Sequence, residues 1–142
     1  MEYYKVYRNS DNLLGKGSYS CVYKGEYIGP DTNDLINGDI VAIKIISLDQ
    51  KYGGYERQIQ NEIYVMDHIL NNPHPYIIKC YGVFQINREV VIVLELCSCT
   101  LLDIMKVPIK ESIVKYYFKQ IMEAMKYLRE HNIIHRDLKP AN

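Results

Sequence analysis

No stretch of this sequence is apolar for long enough to cross a lipid bilayer. The longest purely aliphatic run, residues 90–94, has five residues, whereas a membrane-spanning helix needs about 20 apolar residues. Residues 1–10 carry charges and tyrosines without an apolar core, which is not the pattern of a secretory signal peptide. We therefore expect a soluble, intracellular protein, cytoplasmic by default, with no membrane segment.

An excess of either charge is also missing, because 17 Lys and Arg residues balance 17 Asp and Glu residues. A broad nucleic-acid-binding surface would need a basic excess, so we expect no nucleic-acid partner.

Cysteine is scarce, and of the four only Cys97 and Cys99 are close together. A zinc site would need further Cys or His ligands beside them. Small buried thiols in a reducing compartment are the favoured interpretation.

What remains is the composition of an ordinary globular protein. Hydrophobic residues make up 48% of the 142 residues and charged residues 24%, both typical of globular domains. A chain of this length can bury roughly 68–70% of its unfolded surface. These values predict one domain with a substantial core.

Two glycines mark a tight turn near the start of the chain. Gly15 and Gly17 lie in the run L-L-G-K-G-S-Y-S-C-V, where the missing Cβ atoms allow a sharp turn and a close approach to phosphates. The flanking residues 13–14 and 21–27 predict the strands of a hairpin. An ordinary turn is the simpler alternative.

Residues 29–39, rich in turn-forming and acidic residues, predict a surface insertion.

A lysine lies inside an apolar segment, V-A-I-K-I-I at residues 41–46. The β-branched residues predict a buried strand, in which alternation places Ala42, Lys44 and Ile46 on one face. Burying a lone charge is costly, so Lys44 needs a partner. The alternative is an edge strand from which the ammonium group reaches water.

The expected partner lies on the next element. Apolar residues at helical spacing predict a helix over residues 55–70, and Glu62 lies beside its apolar stripe. Glu56 is the other candidate, but it lies in the first turn, where an acidic residue suits the helix dipole. We therefore expect a Lys44–Glu62 pair.

The second half of the chain predicts two strands and a long helix. The strands cover residues 77–84 and 90–96, with a turn near residues 87–88. Residues 110–131 predict the clearest helix, with an apolar stripe and charged residues on the opposite face. The stripe consists of Ile113, Tyr117, Ile121, Met125 and Leu128.

The last eight residues, H-R-D-L-K-P-A-N, are the densest in chemically capable side chains. They suit phosphoryl transfer: Asp137 would accept a hydroxyl proton, Lys139 would neutralise the moving phosphoryl group, and Asn142 would hold Mg²⁺. A polar loop that follows a helix, with Pro140 as the breaker, is the alternative.

Taken together, these segments resemble a eukaryotic-type serine/threonine protein kinase. The glycine-rich loop, V-A-I-K, the helix glutamate and H-R-D-L-K-P-A-N occur in that family's order. The resemblance runs over residues 7–142 and implies an α+β fold. A small lobe over about residues 7–96, with an antiparallel five-stranded sheet and one helix, would bind ATP. A hinge and the first helix of a helical large lobe would follow over residues 97–142.

The resemblance also implies ATP and Mg²⁺ as cofactors and assigns the site residues. The catalytic residues would be Asp137, Lys139 and Asn142, the last also as metal ligand. The nucleotide-binding residues would be Leu14, Gly15, Lys16, Gly17, Ser18, Tyr19, Ser20, Cys21, Val22, Ala42, Lys44, Glu62, Glu95 and Cys97. Ser20 stands where the family has its third glycine. The usual glycine pair after the hinge is also missing, so no ribose contact is assigned.

The implied reaction is transfer of the ATP γ-phosphate to a Ser or Thr hydroxyl of a protein substrate. The family's D-F-G, activation-loop and A-P-E segments do not occur in these 142 residues. We therefore expect this chain alone to be inactive or very weakly active. One alternative is a nucleotide-binding or protein-docking half-kinase, whose partner would cover the exposed face of the 110–131 helix. The other is a remnant or an incomplete gene model.

Overall fold

A computed structural model describes residues 2–48 and 54–142. The chain forms two compact units. The first contains Met1–Pro73 and Lys79–Leu96, and the second contains His74–Ile78 and Cys97–Asn142. No helix in the described ranges is long and apolar enough to span a membrane.

The first unit is built on one antiparallel sheet. Its strands are β1 (Tyr4–Val6), β2 (Leu13–Lys16), β3 (Ser20–Tyr27), β4 (Ile40–Ser47), β5 (Cys80–Ile86) and β6 (Glu89–Glu95). Their order in the sheet is β1-β3-β4-β6-β5, with β2 also paired to β3. A 3₁₀ turn, Ser10–Asn12, precedes β2. The expected antiparallel sheet is confirmed, and β1 adds a short sixth strand at its edge.

The described residues also form three α-helices. In the first unit α1 (Glu56–Asn71) packs on β5, and the second unit contains α2 (Leu101–Ile104) and α3 (Glu111–Glu130). The short helix α2 was not predicted from the sequence. Its start is fixed by a capping box, in which the Thr100 hydroxyl accepts a hydrogen bond from the Asp103 N–H and Asp103 Oδ2 accepts one from the Thr100 N–H. The α+β class is confirmed.

The predicted strand over residues 77–84 began too early. Residues 74–78 belong to the second unit, and there the Ile77 N–H donates to the carbonyl of His74, which makes a turn. The strand therefore starts at Cys80.

The core lies on both faces of the central strands. Ile43 and Ile46 of β4 and Ile92 and Val93 of β6 are fully buried. Strands covered on both faces carry continuous apolar runs, which explains the sequence pattern of β4. Burying each such side chain contributes about 1.5–3 kcal/mol, so these two strands form the stable centre of the first unit.

The segment between β3 and β4 is more than a surface insertion, because Leu35 is buried in the core cluster. Internal hydrogen bonds shape it: the Tyr27 hydroxyl donates to the carbonyl of Pro30 at 2.7 Å, and the Ile36 N–H donates to Asp39 Oδ2 at 2.9 Å. An ion pair between Asp34 and Lys79 links it to the residue before β5. This corrects the expectation of a purely surface segment.

Cysteine burial also differs from the expectation. Cys80 is buried, but Cys97 and Cys99 are exposed and Cys21 is half-buried. The prediction of buried thiols is therefore right for Cys80 and wrong for the C-x-C pair.

Candidate active site

The glycine-rich segment forms the turn between β2 and β3. The Gly17 N–H donates to the carbonyl of Ser20 at 2.8 Å and closes the turn. A Cβ atom at Gly15 would meet no atom within 4 Å, whereas one at Gly17 would lie 3.1 Å from Ser20 Oγ. Serine is thus accommodated at the third position of the motif, with its hydroxyl directly against Gly17. Gly15 leaves an open backbone surface.

Lys44 and Glu62 form an ion pair between β4 and α1. Their side chains are 24% and 16% exposed, and Lys44 Nζ contacts Glu62 Oε1. The alternative partner, Glu56, accepts a hydrogen bond from the Gly54 N–H at 2.8 Å instead. The charge inside the strand is therefore compensated from the helix.

A third group also approaches Glu62. The hydroxyl of Tyr19, at the tip of the turn, lies 3.4 Å from Glu62 Oε2, and the Tyr19 ring lies 5.2 Å from that of Tyr55. Burial raises the pKa of Tyr19, and the Glu62 carboxylate adds to this shift. Tyr19 was predicted to lie in the glycine-rich loop, but its contact with Glu62 was not predicted. No sequence pattern links residues 43 positions apart.

Of the other predicted nucleotide-binding residues, Ser18 lies in the turn between β2 and β3. Five more lie on the sheet: Leu14 and Lys16 belong to β2, Cys21 and Val22 to β3, and Ala42 to β4. Val22 pairs with Lys44 across the β3–β4 ladder. The turn, the strand lysine and the helix glutamate are thus positioned within the first unit.

The predicted hinge residues are divided between the two units, Glu95 in the first and Cys97 in the second. Glu95 ends β6, and its Oε1 accepts a hydrogen bond from the Lys79 N–H at 2.7 Å. Its own N–H donates to the carbonyl of Lys79 at 3.0 Å. The Glu95 side chain therefore stabilises the start of β5.

In the second unit, three of the last six residues gather at one carboxylate. Lys139 Nζ lies 2.8 and 3.0 Å from the two carboxylate oxygens of Asp137. Asn142 Nδ2 donates to Asp137 Oδ2 at 2.8 Å and to the Asp137 carbonyl at 2.6 Å. The carbonyl of Pro140 accepts from the Leu102 N–H at 2.7 Å, which ties this loop to α2.

These contacts have an electrostatic consequence. The hydrogen bond from Lys139 and then that from Asn142 hold the pKa of Asp137 below its usual value. The carboxylate is therefore ionised at neutral pH.

Arg136 precedes this carboxylate with a φ of 66°. The left-handed conformation costs a non-glycine residue on the order of 1–3 kcal/mol and is concentrated at functional sites. No local sequence pattern predicts this conformation, since arginine has no preference for it. The strained residue lies directly beside the candidate base.

Residues 8–142 match the family model of the protein kinase domain. This chain belongs to the protein kinase family. It is 35% identical to the serine/threonine-protein kinase PLK4 of Xenopus tropicalis over 137 residues, covering 92% of this chain and 13% of that protein. It is 38% identical to MAP3K epsilon protein kinase 1 of Arabidopsis thaliana, covering 91% of this chain and 9% of that one. With cell division control protein 7 of Schizosaccharomyces pombe it shares 36% identity, over 92% of this chain and 12% of the relative.

The kinase family predicted from the motifs is thereby confirmed, and the printed name of the Xenopus tropicalis relative places that protein in the serine/threonine branch. The chain spans only about a tenth of the length of the three relatives. The roles of individual site residues stay predictions.

Proposed function

We propose that this chain acts in ATP-dependent phosphorylation of Ser or Thr hydroxyls on a protein substrate. One observation carries the proposal: an ionised carboxylate, Asp137, is held between the ammonium of Lys139 and the amide of Asn142. Phosphoryl transfer needs three groups at the transfer point: a proton acceptor, a cation and an oxygen ligand for Mg²⁺, such as an amide oxygen.

The first unit supplies the groups that would hold the nucleotide. We assign ATP binding to a small lobe over about residues 7–96 and the start of the large lobe to residues 97–142. Lys44, oriented by Glu62, would contact the phosphates, and Gly15 would let the backbone approach them because no Cβ intervenes. The backbone at Glu95 and Cys97 would contact the adenine.

Asn142 fits the role of a magnesium ligand. In its two contacts with Asp137 the amide uses Nδ2 as donor, so the amide oxygen, an atom type that Mg²⁺ accepts, is not used by them. Bound Mg²⁺ would supply charge neutralisation at the phosphates. The amide group of Asn142 would be held at the transfer point by Asp137.

The chemical step then assigns one role to each residue. Asp137 accepts the proton of the substrate hydroxyl while the hydroxyl oxygen forms its bond to the γ-phosphorus and ADP leaves. Lys139 stays beside the transferred group and balances its negative charge. The strained Arg136 sets the backbone direction from which Asp137 is presented.

The test is phosphate incorporation from radiolabelled Mg-ATP into dephosphorylated casein. It is run on the 142 residues and, in parallel, on the full chain of the longest reading frame that contains them. Asp137→Asn should lower the rate of the full chain by about 100-fold or more. Glu123→Gln removes an exposed carboxylate from α3 and is the matched control. An unchanged rate in Asp137→Asn would refute the role of Asp137.

For the 142 residues by themselves we propose very weak or no transfer. The family's magnesium-binding aspartate of D-F-G is not among them, so Asn142 alone would hold the metal. Transfer by this segment at a rate comparable with the full chain would contradict the proposal.

A second candidate, protein docking, is favoured by one surface of α3. Val114, Phe118 and Met122 are about half exposed or more, and their spacing of four places them on one ridge of the helix. We propose that a second copy of this chain covers this ridge. Sedimentation should show self-association of the 142 residues that Phe118→Glu abolishes. A monomer at high micromolar concentration would refute the docking.

A further inference from the structure

We propose that Tyr19 is a positioning residue that ties the glycine-rich turn to Glu62 and keeps that carboxylate directed at Lys44. The inference rests on the proposed function, because it concerns how the nucleotide-binding groups of the first unit are held. In this proposal the side chain of Tyr19 acts through Glu62. The position of the glycine-rich turn is thereby coupled to that of α1, which carries Glu62.

Backbone hydrogen bonds hold Tyr19 in place independently of its side-chain contacts. Its carbonyl accepts a hydrogen bond from the Ser47 N–H, at the end of β4, at 3.1 Å. The adjacent Gly17–Ser20 hydrogen bond closes the turn. The backbone position of Tyr19 is therefore fixed by these hydrogen bonds, and this fixes the point from which its ring extends.

The ring reaches the start of α1. Tyr55 is the N-cap residue of that helix and has no capping hydrogen bond from its side chain. Its ring instead lies 5.2 Å from the Tyr19 ring, at an angle of 45°. Tilted aromatic pairs at this separation are favourable beyond the area they bury. The turn and the helix N-terminus are thus joined by a ring contact.

The hydroxyl completes the connection. The two oxygens of Glu62 face different elements: Oε1 pairs with Lys44 of β4, and Oε2 faces the Tyr19 hydroxyl at 3.4 Å. This separation is long for an O–H···O hydrogen bond, so the bond is a weak one. A tyrosine hydroxyl is protonated at neutral pH and can therefore donate to this oxygen. Because Glu62 is mostly buried, each donor to it restricts its orientation.

Three elements therefore meet at one carboxylate. If α1 moves away from the sheet, Glu62 loses both Lys44 and Tyr19. If the turn opens, Glu62 loses the group that fixes Oε2. The position of the glycine-rich turn and the state of the Lys44–Glu62 pair are coupled, and Tyr19 is the residue that couples them.

Tyr19→Phe isolates the hydroxyl, since it keeps the ring against Tyr55. Two quantities are measured on the whole chain: amide hydrogen exchange without nucleotide, and the dissociation constant for Mg-ATP. We expect faster exchange over residues 15–20 and over the first turns of α1. We also expect Mg-ATP to bind about threefold to tenfold more weakly, as for loss of one weak hydrogen bond to a charged group.

Two controls separate positioning from general destabilisation. Tyr64→Phe removes a hydroxyl from the same helix, where Tyr64 is 68% exposed, and should change neither quantity. In a Glu62→Leu background, Tyr19→Phe should add less than about twofold, because the group it acts through is gone. An equal effect in both backgrounds would overturn the proposal.

Three further results of the Tyr19→Phe experiment would also decide whether Tyr19 has this positioning role. Unchanged exchange and affinity in Tyr19→Phe would show that the hydroxyl positions nothing. Tighter binding would mean that the contact opposes nucleotide entry, which also overturns the proposal. If the unsubstituted chain binds no Mg-ATP, the proposed function fails, but the exchange difference between Tyr19→Phe and Tyr64→Phe still decides whether Tyr19 joins the turn to α1.

Discussion

Lys139 Nζ lies 2.8 Å from Asp137 Oδ2, two residues earlier on the same turn, and Asn142 Nδ2 reaches the same oxygen at 2.8 Å. Two donors thus converge on one exposed carboxylate. Both stabilise its ionised form, and this relationship leads to a prediction about the pH dependence of the loop.

The pKa of Asp137 is below its usual value because Lys139 and Asn142 donate to the carboxylate. A depressed pKa in the folded state means that these contacts stabilise the fold above the unfolded pKa, which is about 3.9 for Asp. Their contribution is lost as the pH falls through the lower, folded value. Lys139→Met should raise the pKa of Asp137, as measured by NMR titration of its side-chain carboxyl carbon. A pKa that does not rise would show that Lys139 is not the main cause.

The Lys44–Glu62 pair predicts unequal effects of single and double substitutions. Lys44→Met leaves the mostly buried Glu62 without its ammonium partner, so we expect a loss of about 1–3 kcal/mol in the free energy of unfolding. Combining it with Glu62→Leu should recover much of this loss, since no unpaired charge remains. The measurement is urea unfolding of Lys44→Met, Glu62→Leu and the double variant.

An exposed pair on α3 supplies the matched control for that experiment. Lys115 Nζ and Glu111 Oε1 are 2.7 Å apart, and both side chains are largely exposed. Lys115→Met should change stability by less than about 0.5 kcal/mol. Equal losses in Lys44→Met and Lys115→Met would contradict the importance of burial at the first pair.

The strand around Lys44 shows how far local sequence patterns reach. V-A-I-K-I-I predicted a buried strand with a charge in need of a partner, and the helix pattern offered Glu62; the ion pair is present in the structure. These inferences worked because alternation and helical spacing are local properties. The signature of α2, Thr100 followed three residues later by Asp103, was also local and could have been read.

Other features depend on contacts between distant segments. Leu35 lies in a polar, turn-rich stretch, so nothing nearby indicated that its side chain would enter the core. The short strand β1 has three residues and no periodicity, but it pairs with β3 over Tyr4–Val6. Gly25 in β3 was a usable sign, since a glycine inside a strand often marks a close approach of another segment.

Gly25 gives a prediction on stability. A Cβ atom there would collide with the side chain of Ile43 and lie 2.9 Å from the carbonyl oxygen of Lys5. Gly25→Ala should therefore lower the free energy of unfolding by about 1–3 kcal/mol, the usual cost of overpacking. Thermal or urea unfolding measures this change.

Gly15→Ala is the control for that substitution, because a Cβ atom at Gly15 meets nothing within 4 Å and its φ is not positive. Its stability should stay within about 0.5 kcal/mol of the unsubstituted chain. If Gly25→Ala is as stable as Gly15→Ala, β1 does not lie against β3 at Lys5.

The cysteines provide a probe of local opening in the first unit. The thiol of Cys80 is buried, it lies 3.7 Å from the carbonyl of Gly82, and burial raises its pKa. Alkylation requires an accessible thiolate, so Cys80 should react with iodoacetamide on the order of 100-fold or more slowly than the exposed Cys99, with the rate set by opening of the sheet edge. Mass spectrometry of the labelled peptides follows both sites in one sample. Urea below the unfolding transition should accelerate labelling of Cys80 much more than that of Cys99. Equal rates without urea would show that the start of β5 is not packed.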